Sequence, residues 1–367
     1  MGKVIAFDKN RLHSKPHSTA QTRELHSQVG MRSNARLHHF QGKKEGIEVS
    51  IVVLASGHPH LLSHCLASLL FQQFEASRYE IIVVDDKPSR AIRDVVNEWA
   101  KHSSRSGPGL SYIAGHGNEG IAAARNRGWR AARGALVAFT DDDMVARPDW
   151  LQKGLLALEK EAAQAVWGRV ITASSAATER MPAADKLQPF VHSNYFVRKA
   201  VLDDIGGFDE RFKFSWGDEA DLYFRLCSSR VRIVHYPQAV VTQPSRIAGL
   251  GRFLSVQRSH QAEVLLSKKH PQLYRQKMQK TPYAASYLIT AALVLSGVCL
   301  LAGATVLAAA CGALWLWLTL NLLLRQWKGM SPAPSHVFSS LLSAVLTPPL
   351  TTFWHTLGWL RFRRITC

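Results

Sequence analysis

The sequence predicts an α/β domain with a mostly parallel sheet flanked by helices, followed by helices that enter a membrane. From Glu48 onward, short β-branched runs alternate with longer amphipathic stretches, which is typical of β–α units. Further along, the 42 residues 283–324 contain no Asp, Glu, Lys, Arg or His. The two patterns separate a folded domain from a membrane-associated region.

The elements of the domain follow from apolar periodicity. Strands are predicted at residues 49–54, 79–84, 110–113 and 135–139, and helices at residues 59–74, 92–100 and 121–132. Ligands of open α/β sheets bind beyond the carboxyl ends of the strands. The polar residues that follow these strands are therefore the candidates for a functional site.

The net charge of +18 lies outside this domain. Residues 1–45, 244–280 and 325–367 carry excess charges of +6, +7 and +5, whereas residues 46–243 hold 23 basic and 23 acidic residues. A neutral domain argues against nucleic acid as the partner, and basic flanks suit an anionic membrane surface. Residues 1–45 have no apolar core and no periodicity, which predicts a disordered tail. The five cysteines show no paired spacing and predict neither a zinc site nor disulfides.

The apolar run 283–324 predicts a transmembrane hairpin. As one helix it would reach about 63 Å, roughly twice the hydrocarbon thickness of a bilayer, so two crossings are needed. Basic residues at both outer ends place those ends on the cytoplasmic side, and residues 244–282 form a basic juxtamembrane linker or helices. A buried hairpin in a soluble core is the alternative.

Residues 336–360 form a third apolar segment, which contains Pro348 and Pro349 and ends at three arginines. A full crossing would place those arginines outside, against the positive-inside tendency. We therefore favour a broken re-entrant or interfacial helix, with a third transmembrane crossing as the alternative.

Carboxylates cluster at three places. Asp85 and Asp86 follow the second strand, residues 141–143 are three aspartates after the fourth, and Asp218, Glu219 and Asp221 open a later helix. Three adjacent carboxylates repel one another and favour a divalent cation, which also suits a diphosphate. In the last cluster, one carboxylate can act as a general base while another orients it. For residues 141–143 and for residues 218–221, the alternative is that the carboxylates only cap and stabilise the start of a helix.

Five motifs in order resemble those of family 2 inverting glycosyltransferases with the GT-A fold, over about residues 48–243. They are residues 49–53 (VSIVV), the strand 81–86, residues 118–120 (NEG) with 124–128 (ARNRG), residues 139–143 (FTDDD), and residues 206–209 (GGFD) with 217–222. The resemblance implies a nucleotide-sugar donor and a divalent cation (Mg²⁺ or Mn²⁺). Because nucleotide sugars are cytoplasmic and basic segments flank the hairpin, we expect the catalytic domain to face the cytoplasm.

The resemblance also implies roles for individual residues. Asp86 would contact the nucleotide, Arg125 would lie near the donor, and Gly128 would permit close helix packing. Asp141 and Asp143 would form the DXD-like metal site, with Asp142 also assigned to donor binding.

The base position of the family falls on Glu219, with Asp218 as the alternative, because the usual Glu-Asp pair is Asp218-Glu219 here. We assign Trp216, whose flat face suits a sugar ring, and Asp221 to acceptor binding.

The chain departs from the family pattern in three places. Residues 55–58 read ASGH in place of the usual PTYN, Gln243 stands where many relatives have a histidine, and no QxxRW motif occurs in residues 244–280. The last absence favours single-sugar addition to a lipid-linked or glycan acceptor over a processive polysaccharide synthase. A nucleotidyltransferase and a non-catalytic basic membrane-binding protein are further alternatives.

Overall fold

A computed structural model describes residues 46–103, 107–117, 119–172, 194–214, 216–244, 250–278, 283–327 and 334–364. The predicted tail, residues 1–45, lies outside these ranges. All described residues belong to one unit, Glu45–Cys367.

An eight-stranded sheet forms the centre of this unit, in the order β3-β2-β1-β4-β7-β6-β8-β5. The strands are β1 (Val49–Ala55), β2 (Tyr79–Asp85), β3 (Gly109–Ala114), β4 (Leu136–Asp141), β5 (Val145–Ala146), β6 (Ala165–Thr172), β7 (Tyr195–Arg198) and β8 (Ile233–Gln243). Strands β1 to β4 pair in parallel, as do β6 and β8. The pairs β4–β7, β6–β7 and β5–β8 are antiparallel. The α/β fold with a mostly parallel sheet is therefore confirmed, and its antiparallel pairs all involve the later strands.

Helices flank the sheet and continue beyond it. They are α1 (Pro59–Leu70), α2 (Arg90–Ser103), α3 (Ile121–Ala131), α4 (Trp150–Lys160), α5 (Lys199–Ile205), α6 (Asp218–Ser228), α7 (Leu250–Arg258), α8 (His260–Lys269), α9 (Pro271–Lys277), α10 (Tyr283–Leu301), α11 (Thr305–Trp327) and α12 (Pro334–Arg361). Helix α1 ends four residues earlier than the predicted helix 59–74, and residues 76–78 form a short 3₁₀ turn instead.

Apolar residues cover both faces of the sheet. In β1, Val49, Ile51 and Val53 belong to a core layer shared with α1, α2 and α4. The alternate residues Val52 and Leu54 belong to a second layer with α3, α6 and α8. Because successive side chains of a strand point to opposite faces, a strand buried on both sides reads as a continuous apolar run.

The structure adds to the prediction for one C-terminal segment and revises the prediction for another. Helix α8 lies within the segment predicted as a basic juxtamembrane linker or helices, and its Ala262, Leu265 and Leu266 are buried in the second core layer of the domain. Helix α12 is one continuous helix through Pro348 and Pro349, whereas a broken helix was expected.

Among the described residues, two helices are long and apolar enough to cross a membrane, Tyr283–Leu301 and Thr305–Arg325. They match the predicted hairpin, with Gly303 in the left-handed conformation (φ 76°) between them.

Candidate active site

Arg125 lies at the centre of the candidate site. It is carried by α3, whose Gly128 packs so closely on β1 that an added Cβ would lie 2.4 Å from Val52 Cγ1. This confirms the packing role expected for Gly128 and explains how α3 approaches the sheet. Arg125 is 4% exposed, so its charge is removed from water and requires partners.

Three carboxylates from two elements supply those partners. Arg125 Nη2 lies 3.2 Å from Asp141 Oδ1 at the end of β4 and 2.9 Å from Glu219 Oε1 at the start of α6. Arg125 Nη1 donates to Asp218 Oδ2. Burial would lower the pKa of Arg125, but the charges of Asp218, Glu219 and Asp141 outweigh it and raise that pKa. The structure thus brings together four of the residues predicted from sequence.

The two candidate bases are both largely buried. The side chain of Asp218 is 2% exposed and that of Glu219 is 8% exposed. Burial raises the pKa of Asp218, although Arg125 acts in the opposite direction. Tyr195 of β7 is buried beside the same charges, and burial raises its pKa well above the ordinary value. No feature of the sequence around Tyr195 pointed to this position.

The three aspartates after β4 have separate partners. Asp141 contacts Arg125, while both carboxylate oxygens of Asp142 accept hydrogen bonds from Ser56 in the loop after β1. Burial is the main cause that raises the pKa of Asp142 to about 6. Asp143 Oδ2 accepts a hydrogen bond of 2.7 Å from Gln243 Nε2 at the end of β8. Ser56 and Gln243 had been noted only as departures from the family pattern.

The two carboxylates at the end of β2, Asp85 and Asp86, also have separate hydrogen-bond partners. Asp85 is buried, and its Oδ2 accepts hydrogen bonds from the Ser89 amide and the Tyr112 hydroxyl, each 3.0 Å long. Asp86 Oδ1 accepts a hydrogen bond of 3.2 Å from the amide of Gly120, directly before α3. Asp86 is therefore bonded to the start of α3, the helix that carries Arg125. Asp85 instead stabilises the loop that follows β2.

Asp221 lies in a different environment from the one expected of an acceptor-binding residue. It is completely buried, and it contacts Arg225 Nε at 2.8 Å, Lys269 Nζ at 2.7 Å and His270 Nε2 at 2.9 Å. These contacts fasten α6 to the end of α8. Because no surface of Asp221 is exposed, its assignment changes from acceptor binding to a structural joint. Trp216, partly buried directly before Gly217, keeps its assignment as a prediction.

The glycine motif before α6 is held by Asn126 of α3. Its Oδ1 accepts a hydrogen bond from the amide of Phe208, and its Nδ2 donates to the Phe208 carbonyl. Gly207 has φ 71°, and an added Cβ there would lie 2.5 Å from Asn126 Oδ1. Asn126 thus joins two motifs that are distant in sequence, residues 124–128 and residues 206–209. Its contact with Gly207 leaves no space there for a residue larger than glycine.

Asp141 and Asp143 are the carboxylates that the sequence assigns to a metal ion. No group of three His, Cys, Asp or Glu side chains in the described ranges is arranged to hold a metal ion. Asp141 and Asp143 offer two carboxylates, and Mg²⁺ in nucleotide sites is commonly held by one or two carboxylates together with phosphate oxygens and water. The pair fits a cation that is bound jointly with a diphosphate.

A cleft of about 450 Å³ lies beside α3 and is lined by Glu119, Ala123, Arg127, Arg130, Glu210 and Lys213. None of the carboxylates around Arg125 lines it. The cleft is therefore separate from the Arg125 cluster.

A known protein family matches the part of the chain that carries this site. The family described as "Glycosyl transferase family 2" matches residues 50–218, a range that contains β1, Arg125, the aspartate triplet and Asp218. Residues 50–218 thus form a family 2 glycosyltransferase domain.

Curated relatives of the glycosyltransferase domain agree with this family. "Glycosyltransferase AglE" of Haloferax volcanii is 27% identical over 186 residues, which cover 46% of this chain and 58% of that protein. "Putative glycosyltransferase EpsH" of Bacillus subtilis is 34% identical over 107 residues, or 29% of each chain. The matches span less than two thirds of these relatives.

A solved structure of similar extent is "Mannosyltransferase PcManGT from Pyrobaculum calidifontis in complex with GDP-Man and Mn2+". It shares 18% identity over 86% of this chain and 85% of its own, with a TM-score of 0.49.

Proposed function

We propose that the chain is a metal-dependent, inverting glycosyltransferase that moves one sugar from a nucleotide-diphosphate sugar to a lipid-linked or surface-glycan acceptor at the cytoplasmic face of the inner membrane. The observation that carries this proposal is the Arg125 cluster. It unites a carboxylate of the DXD-like segment with both candidate bases around one buried guanidinium.

The donor side is formed by the ends of β2 and β4. Asp141 and Asp143 are the residues that would hold a divalent cation, which when bound supplies charge neutralisation to the departing diphosphate. Arg125 adds a fixed positive charge beside Asp141, and preorganised charges of this kind stabilise a transition state without reorganisation. Asp142 supports donor binding through its hydrogen bonds from Ser56, and Asp86 contacts the nucleotide.

The acceptor side is formed by the start of α6. The carboxylate of Glu219 takes the proton of the acceptor hydroxyl as that oxygen attacks the anomeric carbon, on the face opposite the leaving diphosphate. A single displacement inverts the anomeric centre. Asp218 is the alternative base, and Trp216 packs on the acceptor sugar.

The membrane assignment rests on the α10–α11 hairpin and the basic flanks. Nucleotide sugars are cytoplasmic, and basic segments bind anionic headgroups. A processive synthase is the second candidate, but the two spans found in the described ranges are few for a polymer channel.

The decisive experiment uses the full chain in detergent. Release of nucleoside diphosphate is measured with UDP-, GDP- and dTDP-sugars and a membrane-lipid extract as acceptor, before and after chelation and re-addition of Mn²⁺ or Mg²⁺. The anomeric configuration of the product is determined by NMR. We expect chelator-sensitive release and an inverted product. Release that persists after chelation would contradict the metal, and a retained configuration would contradict the single displacement.

A further inference from the structure

Helix α12 is the membrane-associated element whose placement the domain and the hairpin together constrain. Among its described side chains it has one buried stripe, which includes Ser340, Ala344 and Thr351. The remaining surface is largely apolar, and its exposed large apolar residues are Leu341, Leu342, Val345, Phe353, Leu357, Trp359 and Leu360. No Asp, Glu, Lys or Arg occurs from residue 334 to residue 360.

The carboxyl end of α12 is fixed on the side of the catalytic domain. Lys268 Nζ donates a hydrogen bond of 3.0 Å to the Phe362 carbonyl. At Gly358, an added Cβ would lie 3.0 Å from Gln261 Cα. Both partners belong to α8, which is part of the second core layer of the domain. The end of α12 therefore cannot lie across a membrane from that domain.

The end of α11 lies on the same side. Helix α10 starts on the domain side, because the hydroxyl of its first residue, Tyr283, donates a hydrogen bond to Glu263 of α8. Its 19 residues rise about 28 Å to the turn at Gly303, and the 23 residues of α11 return about 34 Å. Ser296 Oγ donates to the Ala308 carbonyl, which fits an antiparallel hairpin. Trp327 is thus back at the level of Tyr283.

The connection between the two helices is too short for a crossing. From Trp327 to Pro334 the chain takes seven steps, which reach at most about 25 Å when fully extended. The hydrocarbon core is about 30 Å thick, and an extended backbone in lipid leaves its polar groups unsatisfied. If α12 crossed the membrane, this connection would have to cross it too.

We propose that α12 does not cross the membrane but lies within the leaflet on the catalytic-domain side, with its exposed apolar face in contact with lipid acyl chains. The proposal rests on the membrane hairpin of the proposed function. It places both ends of α12 and the arginines at positions 361, 363 and 364 on the domain side, which agrees with the positive-inside tendency.

The first test is cysteine labelling in sealed membrane vesicles of both orientations with a membrane-impermeant maleimide. Full-length variants keep one cysteine each: native Cys367, Ser331→Cys between α11 and α12, Arg90→Cys on the domain, or Ala302→Cys at the hairpin turn. We expect positions 331, 367 and 90 to react from one side and position 302 from the other. Reaction of position 331 together with position 302 would show that α12 crosses and overturn the proposal.

The labelling of position 302 tests separately whether the hairpin crosses the membrane. If position 302 reacts from the same side as position 90, the hairpin does not cross, and the proposed membrane topology fails together with this inference.

The second test concerns the apolar face. A fluorophore on Leu342→Cys of the reconstituted full chain should be quenched more by lipids with a nitroxide near the headgroup than by lipids with one at the chain end. Stronger quenching by the deep nitroxide would indicate a crossing. Absence of quenching by either lipid would show that protein, for example a second copy, covers this face, and would contradict lipid contact.

Discussion

Arg125 contacts carboxylates on both sides of the proposed reaction centre. Two of its nitrogens reach Asp141, Asp218 and Glu219, so loss of any one carboxylate changes the charge balance of the others. Side chains that share one buried network give non-additive mutational effects. Tests of the base must therefore compare substitutions that keep shape and remove only charge.

We expect Glu219→Gln to reduce turnover by roughly 10²- to 10⁴-fold with little change in donor binding, because the amide keeps the shape but cannot accept the proton. Asp218→Asn should reduce turnover less and lower the thermal unfolding temperature more, since its side chain is the more deeply buried of the two. Steady-state kinetics and thermal unfolding of both variants provide the comparison. Near-normal turnover of Glu219→Gln beside an inactive Asp218→Asn would reverse the assignment.

Asp143→Ala should abolish transfer, because it removes one of only two carboxylates assigned to the cation. Asp149→Ala, on a nearby carboxylate outside the cluster, is the matched control and should stay close to wild type. Transfer rates at increasing Mn²⁺ concentration measure the effect. Activity of Asp143→Ala within about twofold of wild type would remove Asp143 from the metal site.

The joint between α6 and α8 determines where the candidate bases lie. Burial acts to raise the pKa of Asp221, but hydrogen bonds from His270 and Lys269 and the charges of Arg225 and Lys269 outweigh it, so that pKa lies below its ordinary value. A carboxyl group with a lowered pKa in the folded state stabilises the protein above its unfolded pKa of about 3.9. This contribution is lost as the pH falls through the folded-state pKa.

Asp221→Asn should therefore destabilise the domain by roughly 3 to 5 kcal/mol at pH 7, the cost typical of removing one partner of a buried ion cluster. The difference in the free energy of unfolding between this variant and wild type should become smaller below about pH 4, because wild type then loses the stabilisation by ionised Asp221. Chemical unfolding of wild type and Asp221→Asn at pH 7 and below about pH 4 measures the difference in their free energies of unfolding. The control is Asp204→Asn, at an exposed position. An equal difference at both pH values would show that the charge of Asp221 is not the cause.

The contact between α12 and α8 offers a second test at the level of elements. Gly358→Val places a Cβ 3.0 Å from Gln261 Cα and 3.3 Å from Val264 Cβ, so α12 must move away from α8. We expect a lower thermal unfolding temperature in detergent and reduced activity. Gly297→Val in α10 makes the same change in intrinsic helix propensity, but no atom lies within 4 Å of the added Cβ, and it should leave the domain unchanged. Equal effects of the two substitutions would mean that the contact does not stabilise the domain.

For the whole molecule, helices α10 to α12 and the α/β domain are not separable modules, because α12 packs on α8. A chain that ends at Lys280 loses the apolar hairpin and should be released from membranes by alkaline carbonate without detergent. The same truncation removes α12 and exposes the surface of α8 that Gly358 and Phe362 cover. We expect the released domain to unfold at a lower temperature than the full chain. Retention of the truncated chain in the membrane would show that the basic segments or the domain bind lipid without the hairpin.

The sequence alone determined the features that depend on local pattern. Periodicity and β-branched runs predict the first four strands and three helices, because burial on both sides of a sheet requires continuous apolar segments. The charge-free run predicts the hairpin, because a bilayer excludes charge over a length that the sequence shows directly. The order of the motifs predicts the glycosyltransferase family.

Only the tertiary structure decided which side chains meet. Asp218, Glu219 and Asp221 form one acidic run in the sequence, yet the first turn of α6 directs the first two to Arg125 and the third to Lys269 and His270. The partners of Asp142 and Asp143 lie 86 and 100 residues away, at Ser56 and Gln243. Such contacts depend on which strands become neighbours in the sheet, and the pairing of distant strands leaves no periodic signal in the sequence.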